Sequence, residues 1–205
     1  GKIIALLGGN GTGKSTFLNI ITGTDEPDAG KVVIGDTIKF GYYTQKGIHV
    51  KEGQKVIDVI RDFGDYIPLK KGRQISAQQL LERFLFDRKK QYDFVEKLSG
   101  GERKRLYLCT VLIQNPNFLI LDEPTGVLTP QEADHLFRIL DTLKEQGKTV
   151  VLITHKLREI MAATDNVSVM RQGAMVKTIE TANTSPAELA EAMVGRRVLM
   201  QVEKG

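Results

Sequence analysis

The residues of this sequence best suited to chemistry lie in one stretch near its start, Gly8-Gly9-Asn10-Gly11-Thr12-Gly13-Lys14-Ser15-Thr16. Its spacing fits G-x-x-x-x-G-K-[ST], in which glycines let the backbone turn and bring successive N–H groups close to one anion. In that pattern the Lys14 ammonium reaches the β- and γ-phosphates of a nucleotide, and the Ser15 hydroxyl ligates Mg²⁺. The stretch therefore predicts a phosphate-binding loop. The residues expected to hold the phosphates are Gly8, Asn10, Gly11, Thr12, Gly13, Lys14, Ser15 and Thr16.

Two acids follow an apolar run further along the chain, where Asp122 and Glu123 come directly after Leu119-Ile120-Leu121. At the carboxyl end of a sheet strand, the Asp122 carboxylate is suited to hold Mg²⁺ through water. Glu123, one residue further, is the candidate general base for an attacking water. Strand-terminal acids are common, so their weight here comes from the phosphate-binding loop upstream.

A second glycine-rich helix start is predicted at Ser99-Gly100-Gly101-Glu102. The Ser99 hydroxyl and the backbone N–H groups around Gly101 offer a further anion-binding end. The alternative is a capping box, in which Ser99 and Glu102 bond each other's backbone N–H groups. The two interpretations are compatible, although a cap does not need two glycines.

Two polar side chains are predicted to follow strands. His155 comes after the apolar run 150–154, where a contact with the γ-phosphate is expected. Gln45 comes after 37–44, and its amide is a candidate to meet Mg²⁺ or the attacking water. Each carries little weight by itself, because a lone histidine or glutamine is usually structural.

The elements that must position these residues follow from hydrophobic periodicity. The apolar run 3–7 predicts a strand before the loop, and apolar residues at helical spacing predict a helix that begins near Lys14. Strands and helices then alternate, which predicts an α/β P-loop NTPase fold with a mostly parallel, doubly wound sheet. The later predicted helices cover 101–114, 130–146, 156–163 and 186–194, and the later strands cover 31–34, 37–44, 117–121, 149–154, 166–171 and 174–180.

The character of the chain changes between residues 46 and 97. We predict a nucleotide-binding core over 1–45 and 98–205, with 46–97 inserted as a helical subdomain. Its two expected helical faces comprise Val56, Val59, Ile60 and Phe63, and Leu80, Leu81, Phe84 and Leu85.

Composition excludes few classes of protein. The 205 residues are 41% hydrophobic, which is enough for one or two packed subdomains. The formal net charge of +4 permits contact with RNA or nucleotide and requires neither. Cys109 is the only cysteine, so we expect a packed thiol, no disulfide and a cytoplasmic location. No apolar run is long enough to span a membrane, and no signal peptide is recognised.

The motifs GGNGTGKST, Gln45, LSGGE, LILDEP and His155, in this order, resemble those of the ATP-binding cassette ATPases over essentially the whole chain. The resemblance implies hydrolysis of Mg-ATP in a head-to-tail dimer, with each ATP between the P-loop of one subunit and Ser99 and Gly101 of the other. It assigns Lys14, Ser15 and Thr16 to phosphate and Mg²⁺, Gln45 to Mg²⁺ and water, Glu123 to the base, and His155 to the γ-phosphate.

The subtype is mixed. Residues 1 to about 125 resemble F-type cassettes that act on ribosomes, whereas residues about 126–205 are similar to importer ATPases for nucleosides or simple sugars. Thr129 stands where the family usually has an aspartate in the D-loop. Four interpretations remain open. The chain is an importer ATPase that docks to a membrane permease, or a translation-factor cassette that binds the ribosome. Alternatively, it is a chimera of both, or a nucleotide-dependent dimerisation module with little turnover.

The resemblance also bears on recognition of the base. The family commonly stacks adenine on an aromatic residue about two dozen residues before the P-loop, and here only Gly1 precedes the strand. Tyr42 and Tyr43 are expected in packing rather than as substitutes. We therefore expect ATP and GTP to bind within roughly tenfold of each other, since a stacking contact contributes about 1–3 kcal/mol.

Overall fold

The computed structural model describes residues 1–44 and 47–195, which divide into two compact units. The P-loop unit comprises Lys2–Ile38 and the residues from Val151 onward. The helix-rich unit comprises Gly1 and Lys39–Val150. Gln45, a predicted site residue, lies outside the described residues.

The elements alternate along the chain as the sequence predicts for an α/β fold. In chain order they are β1 (Lys2–Leu7), α1 (Lys14–Ile21), β2 (Phe40–Tyr43), α2 (Val56–Arg61), β3 (Tyr66–Pro68), β4 (Gln74–Ser76), α3 (Ala77–Arg83), α4 (Arg88–Gln91), α5 (Gly100–Ile113), β5 (Phe118–Asp122), α6 (Pro130–Glu145), β6 (Thr149–Ile153), α7 (Leu157–Ala163), β7 (Asn166–Arg171), β8 (Ala174–Glu180) and α8 (Pro186–Val194), with short 3-10 turns between some of them.

The P-loop unit is built on the strand order β6-β1-β7-β8. Strand β1 pairs in parallel with β7, so that Leu7 lies opposite Val169 just before the loop begins. Strand β8 returns antiparallel through Gln172 and Gly173, whose φ angles of 50° and 77° are those of a tight hairpin turn. Buried apolar side chains from these strands and from α7 and α8 form one cluster, which comprises Ala5, Leu7, Ile160, Val167, Val169 and Leu189.

The helix-rich unit pairs β2 in parallel with β5, with Tyr43 opposite Leu121. Helix α5 is buried mainly in its second half, which contains Cys109, a free thiol. Burial raises the pKa of the Cys109 thiol, so this side chain is an inert part of the packing, as predicted. Helices α5 and α6 are each followed by a residue with positive φ, Asn115 at 53° and Gly147 at 89°, as is usual just past a helix end.

The predicted strand 31–34 is wrong, and the predicted strand 37–44 forms only over Phe40–Tyr43. Residues 31–39 are exposed and irregular, and Val33 is 77% exposed. Their β-branched composition favours a strand, but such residues form one only where a neighbouring strand completes the hydrogen-bonded ladder.

The segment 47–97 contains α2, α3 and α4, and it also contains an antiparallel hairpin of β3 and β4 that was not predicted. Most of the predicted apolar faces are buried, but Phe63 and Leu85 are 42% and 52% exposed. Both lie past the ends of their helices, so the helical spacing no longer applies to them. This segment belongs to the helix-rich unit together with 98–150. The predicted boundary between subdomain and core stays a prediction.

Among the helices of the described residues, none is both long and apolar enough to cross a membrane.

The packing of β2 generates a test of the fold. A Cβ at Gly41 would lie 2.6 Å from Cγ of Pro116, a rigid ring that cannot move aside. We expect Gly41→Ala to lower the free energy of unfolding by about 1–3 kcal/mol, as overpacking does. Gly126→Ala is the matched control, because a Cβ there would meet nothing within 4 Å. Urea unfolding curves with equal midpoints for the two variants would contradict this account of β2.

Candidate functional site

The P-loop closes on itself through the glycines that the sequence singled out. Gly8 is buried, and a Cβ there would lie 2.8 Å from the carbonyl oxygen of Met170. Gly11 and Gly13 have φ angles of 74° and 96°, which side-chain-bearing residues rarely adopt. The Thr12 hydroxyl donates to the Gly9 carbonyl at 2.8 Å. The loop is therefore tightly turned, as backbone capture of an anion requires.

Helix α1 begins without a cap. Its N-cap residue Gly13 makes no side-chain capping hydrogen bond, and no acidic residue lies in its first turn. The first N–H groups of a helix have no partner inside the helix, and the dipole adds a partial positive charge there. Ser15 and Thr16 are exposed in this turn. This helix start is consequently suited to hold phosphate oxygens.

The Lys14 ammonium lies over the loop, where it donates to the carbonyl oxygens of Gly8 and Gly9 at 2.7 and 2.8 Å. These contacts keep its positive charge at the mouth of the loop. His155, in the same unit, is exposed and follows β6, the strand next to β1. Asn10 and Gly11 are also exposed.

The acidic residues lie in the helix-rich unit. Asp122 is the last residue of β5, and Glu123 follows it; both are half-buried. Glu123 has φ 48° and ψ 50°, a left-handed conformation that is unfavourable for a non-glycine residue. Strain of this kind is concentrated at functional positions. It marks Glu123 in a way that the sequence did not reveal.

The start of α5 forms the capping box that the sequence offered as an alternative. The Ser99 hydroxyl accepts from the Glu102 N–H at 3.3 Å, and a Glu102 carboxylate oxygen accepts from the Ser99 N–H at 2.8 Å. The glycines are not explained by the cap, since a Cβ at Gly100 or Gly101 would meet nothing within 4 Å. Their surface is open, which suits the close approach of a ligand to the backbone.

Thr129 has the corresponding place at the start of α6. Its hydroxyl accepts from the Glu132 N–H at 3.3 Å, and Glu132 accepts from the Thr129 N–H at 2.7 Å. Thr129 therefore serves as a helix cap. The sequence did not single out Glu132 or its partner Arg105, although the T-x-x-E spacing is a recognisable capping signal.

The residues predicted to meet Mg²⁺ supply oxygen ligands, the Ser15 hydroxyl and the Asp122 carboxylate, which are the donors that this ion prefers. In the described part of the chain, no group of three or more histidine, cysteine, aspartate or glutamate side chains is placed to hold a metal. The oxygen donors of Ser15 and Asp122 fit Mg²⁺ bound together with a nucleotide.

Tyr42 and Tyr43 take part in packing, as predicted. Tyr43 is 3% exposed, and its ring centre lies 5.0 Å from that of Tyr107. The Tyr107 hydroxyl donates to the Tyr42 carbonyl oxygen at 3.2 Å. Burial raises the pKa of Tyr43 to about 12, so its hydroxyl stays neutral.

The sequence of the chain is similar to those of known proteins. A family model described as ABC transporter matches residues 1–126. The chain is 42% identical, over 76% of its length and 24% of the relative, to the uncharacterized ABC transporter ATP-binding protein YfmR of Bacillus subtilis. It is 33% identical, over its full length and 43% of the relative, to the nucleoside import ATP-binding protein NupA of Lactococcus lactis. The chain thus spans less than half of either relative.

Solved structures share the fold. An ATP-binding subunit of an ABC transporter superposes with a TM-score of 0.76 at 21% identity, over 94% of this chain and 88% of that one. A dimeric bacterial ABC transporter cassette gives a TM-score of 0.68 at 23% identity, over 88% and 85%. These matches confirm the predicted α/β P-loop NTPase fold. The predicted joining of two subfamilies has no support here, because importer relatives align over 97% to 100% of the chain.

The cap of α5 generates a prediction about pH. The side chain of Lys90, 2.6 Å away, and the Ser99 N–H lower the pKa of Glu102 below its ordinary value. A lowered carboxyl pKa stabilises the folded state at neutral pH, and this contribution is lost as the pH falls through the folded-state pKa. Because glutamine can still complete the capping box, we expect Glu102→Gln to cost about 0.5–1 kcal/mol at pH 7 through the lost charge contact with Lys90, and progressively less below about pH 4.

The measurement is urea unfolding of wild type and variant across this pH range, with Glu26→Gln, at an exposed glutamate, as the control. A difference that stays constant with pH would show that the charge of Glu102 does not support the cap.

Proposed function

Because the chain belongs to the ABC transporter family, we propose that it is an ATP-binding cassette that binds and hydrolyses Mg-ATP. The observation that carries the proposal is the uncapped start of α1 behind a glycine-rich loop, with the Lys14 ammonium at its mouth. A helix end of this kind is an anion site, and the lysine adds a full positive charge for the β- and γ-phosphates.

We assign the chemistry to the residues that the sequence motifs single out. The oxygen of a water molecule attacks the γ-phosphorus of ATP, and the bond from that phosphorus to the oxygen of the β-phosphate breaks, leaving ADP and phosphate. Glu123 accepts the proton of the water, while His155 contacts the γ-phosphate. Ser15, Asp122 and Gln45 are the proposed ligands of Mg²⁺, which, when bound, neutralises charge on the phosphate oxygens.

We further propose that two copies, or one copy and a partner cassette, associate head to tail with ATP between them. Ser99 and Gly101 of one cassette would then face the phosphates held by the P-loop of the other. The open surface over Gly100 and Gly101 supports this role, because a Cβ at either position would meet none of the described residues within 4 Å.

The biological role that we favour is energy supply to an importer of nucleosides or simple sugars, with a membrane permease as partner. The full-length alignment to a nucleoside import ATP-binding protein supports it, as does one at 34% identity to a ribose import ATP-binding protein of Hahella chejuensis. We place the chain in the cytoplasm, where ATP is available. The ribosome-associated reading stays a prediction from sequence motifs alone.

Removal of the P-loop charge tests the nucleotide site. Lys14→Ala should abolish measurable hydrolysis and weaken Mg-ATP binding, because the ammonium that faces the β- and γ-phosphates is lost. Isothermal titration and phosphate release measure the two effects. Lys31→Ala, at an exposed lysine of the same unit, is the control and should behave as wild type. Unchanged affinity and turnover in Lys14→Ala would refute the assignment.

Removal of the proposed base tests hydrolysis and assembly together. Glu123→Gln should leave ATP binding intact and slow turnover by about 10²–10⁴-fold, the range for loss of a general base. It should also accumulate an ATP-bound dimer, which light scattering detects. Glu145→Gln, at an exposed glutamate of α6, is the control, and it should neither slow turnover nor accumulate the dimer. A Glu123→Gln protein that turns over like wild type would exclude Glu123 as the base.

A further inference from the structure

Two helices of the helix-rich unit begin with the same device. Helix α5 is capped by Ser99 and Glu102, and α6 by Thr129 and Glu132. In both boxes one carboxylate oxygen of the glutamate accepts the N–H of the capping residue, at 2.8 and 2.7 Å. The other oxygen of each glutamate remains for a different partner.

Arg105 lies near both of these oxygens, although the cation nearest to the second oxygen of Glu102 is Lys90 Nζ, at 2.6 Å. Arg105 Nε lies 2.9 Å from the second oxygen of Glu132, and Arg105 Nη2 lies 4.0 Å from the second oxygen of Glu102. The Nε contact lacks the alignment of a hydrogen bond, so it is held by charge. The Arg105 guanidinium also lies 5.7 Å from the ring centre of the fully buried Phe86. A single planar guanidinium thus joins the two capping boxes.

The pair of Arg105 and Glu132 is deeply placed. Glu132 has no exposed surface, and the Arg105 side chain is 14% exposed. Buried ion pairs contribute little net stability, because desolvation of both charges offsets their attraction. Stability alone therefore does not account for two charges at this place.

The glycine-rich start of α5 must be held in place, and the pair of Arg105 and Glu132 can hold it. Gly100 and Gly101 carry no side chains, and glycine has more backbone freedom than any other residue. The turn is thus tethered by Glu102, whose side chain reaches Lys90 and Arg105. Lys90 is 35% exposed, whereas Arg105 contacts the fully buried Glu132.

We propose that Arg105 is a positioning residue, which anchors the glycine-rich start of α5 to the buried Glu132 of α6 and so fixes Ser99 and Gly101 for the phosphates of a partner cassette. This inference rests on the proposed head-to-tail assembly. Arg105 lies in the helix-rich unit. Loss of Arg105 is therefore expected to leave nucleotide binding by the P-loop unit unchanged and to lower turnover.

The test uses a variant that removes the bridge without leaving a buried charge. Arg105→Met alone would strand the Glu132 carboxylate, so it is combined with Glu132→Gln, since glutamine also completes a capping box. We expect the double variant to keep the Kd of the monomer for Mg-ATP within twofold of wild type and to lose about 2- to 30-fold in kcat, the range of coupling through such networks. With Glu123→Gln added, the ATP-bound dimer should weaken by a similar factor.

Lys90→Met is the matched control, because it removes the other cation at Glu102 while the bridge to Glu132 remains. It should keep kcat within twofold of wild type. An equal loss of kcat in Lys90→Met would show that any charge removed near Glu102 acts alike, and would overturn the role of Arg105. A folded double variant with wild-type kcat and dimer affinity would overturn it as well.

If the double variant does not fold, Arg105→Lys provides the test of the positioning role instead. Lysine keeps a charge beside Glu132 but, as a single ammonium, lacks the planar fork that faces two carboxylates. It should show the same loss of kcat with unchanged Kd for Mg-ATP, and wild-type kcat in this variant refutes the anchor. The proposed function is refuted if the wild-type chain does not hydrolyse ATP and the Glu123→Gln chain does not dimerise with ATP. The positioning role of Arg105 is then refuted with it.

Discussion

The P-loop unit depends on one backbone constraint, which is that the chain turns sharply between β1 and α1 and leaves the first N–H groups of α1 uncapped. The neighbouring hairpin meets this constraint. The carbonyl oxygen of Met170 approaches Gly8 where a Cβ would stand, and the Gly173 N–H donates to the Thr12 carbonyl oxygen at 3.1 Å. The parallel pairing of β1 with β7 fixes the strand end beneath the turn. The loop is therefore held by backbone contacts, and its helix start remains for an anion.

Two helices of the helix-rich unit, α5 and α6, begin in the opposite way. Helices α5 and α6 are each closed by a capping box, and both glutamates are tied to Arg105. In a capped start, some of the first N–H groups already have hydrogen-bond partners in the protein. In the uncapped start of α1, these N–H groups remain available to phosphate oxygens. The glycines at the start of α5 combine the two properties, because the cap fixes the turn while a Cβ at either glycine would meet none of the described residues within 4 Å. Capping thus distinguishes the start of α1, which we propose for phosphate, from the start of α5, which presents a fixed surface.

Local signals predicted most of the fold. The glycine-rich loop, the residues Asn115 and Gly147 that follow helices, and the turn at Gln172 each act through the conformation of one or two residues, which sequence reveals directly. The strand predicted at 31–34 failed because a strand needs a partner that local composition does not supply. The bridge at Arg105 was missed for the same reason. Glu102 lies one turn before Arg105 on α5, but Glu132 lies on α6, and only packing brings its carboxylate to the same guanidinium.

Glu123 shows what such patterns omit about a site. Its position after β5 was predictable, but its left-handed backbone was not. A non-glycine residue in that conformation costs about 1–3 kcal/mol, which glycine would avoid. Other non-glycine residues with positive φ, such as Asn115 after α5 and Gln172 in the hairpin, lie where a turn requires that conformation. Glu123 instead follows a buried strand that carries Asp122 at its end. This strained position at the end of a buried strand is the structural reason for proposing Glu123 as the base.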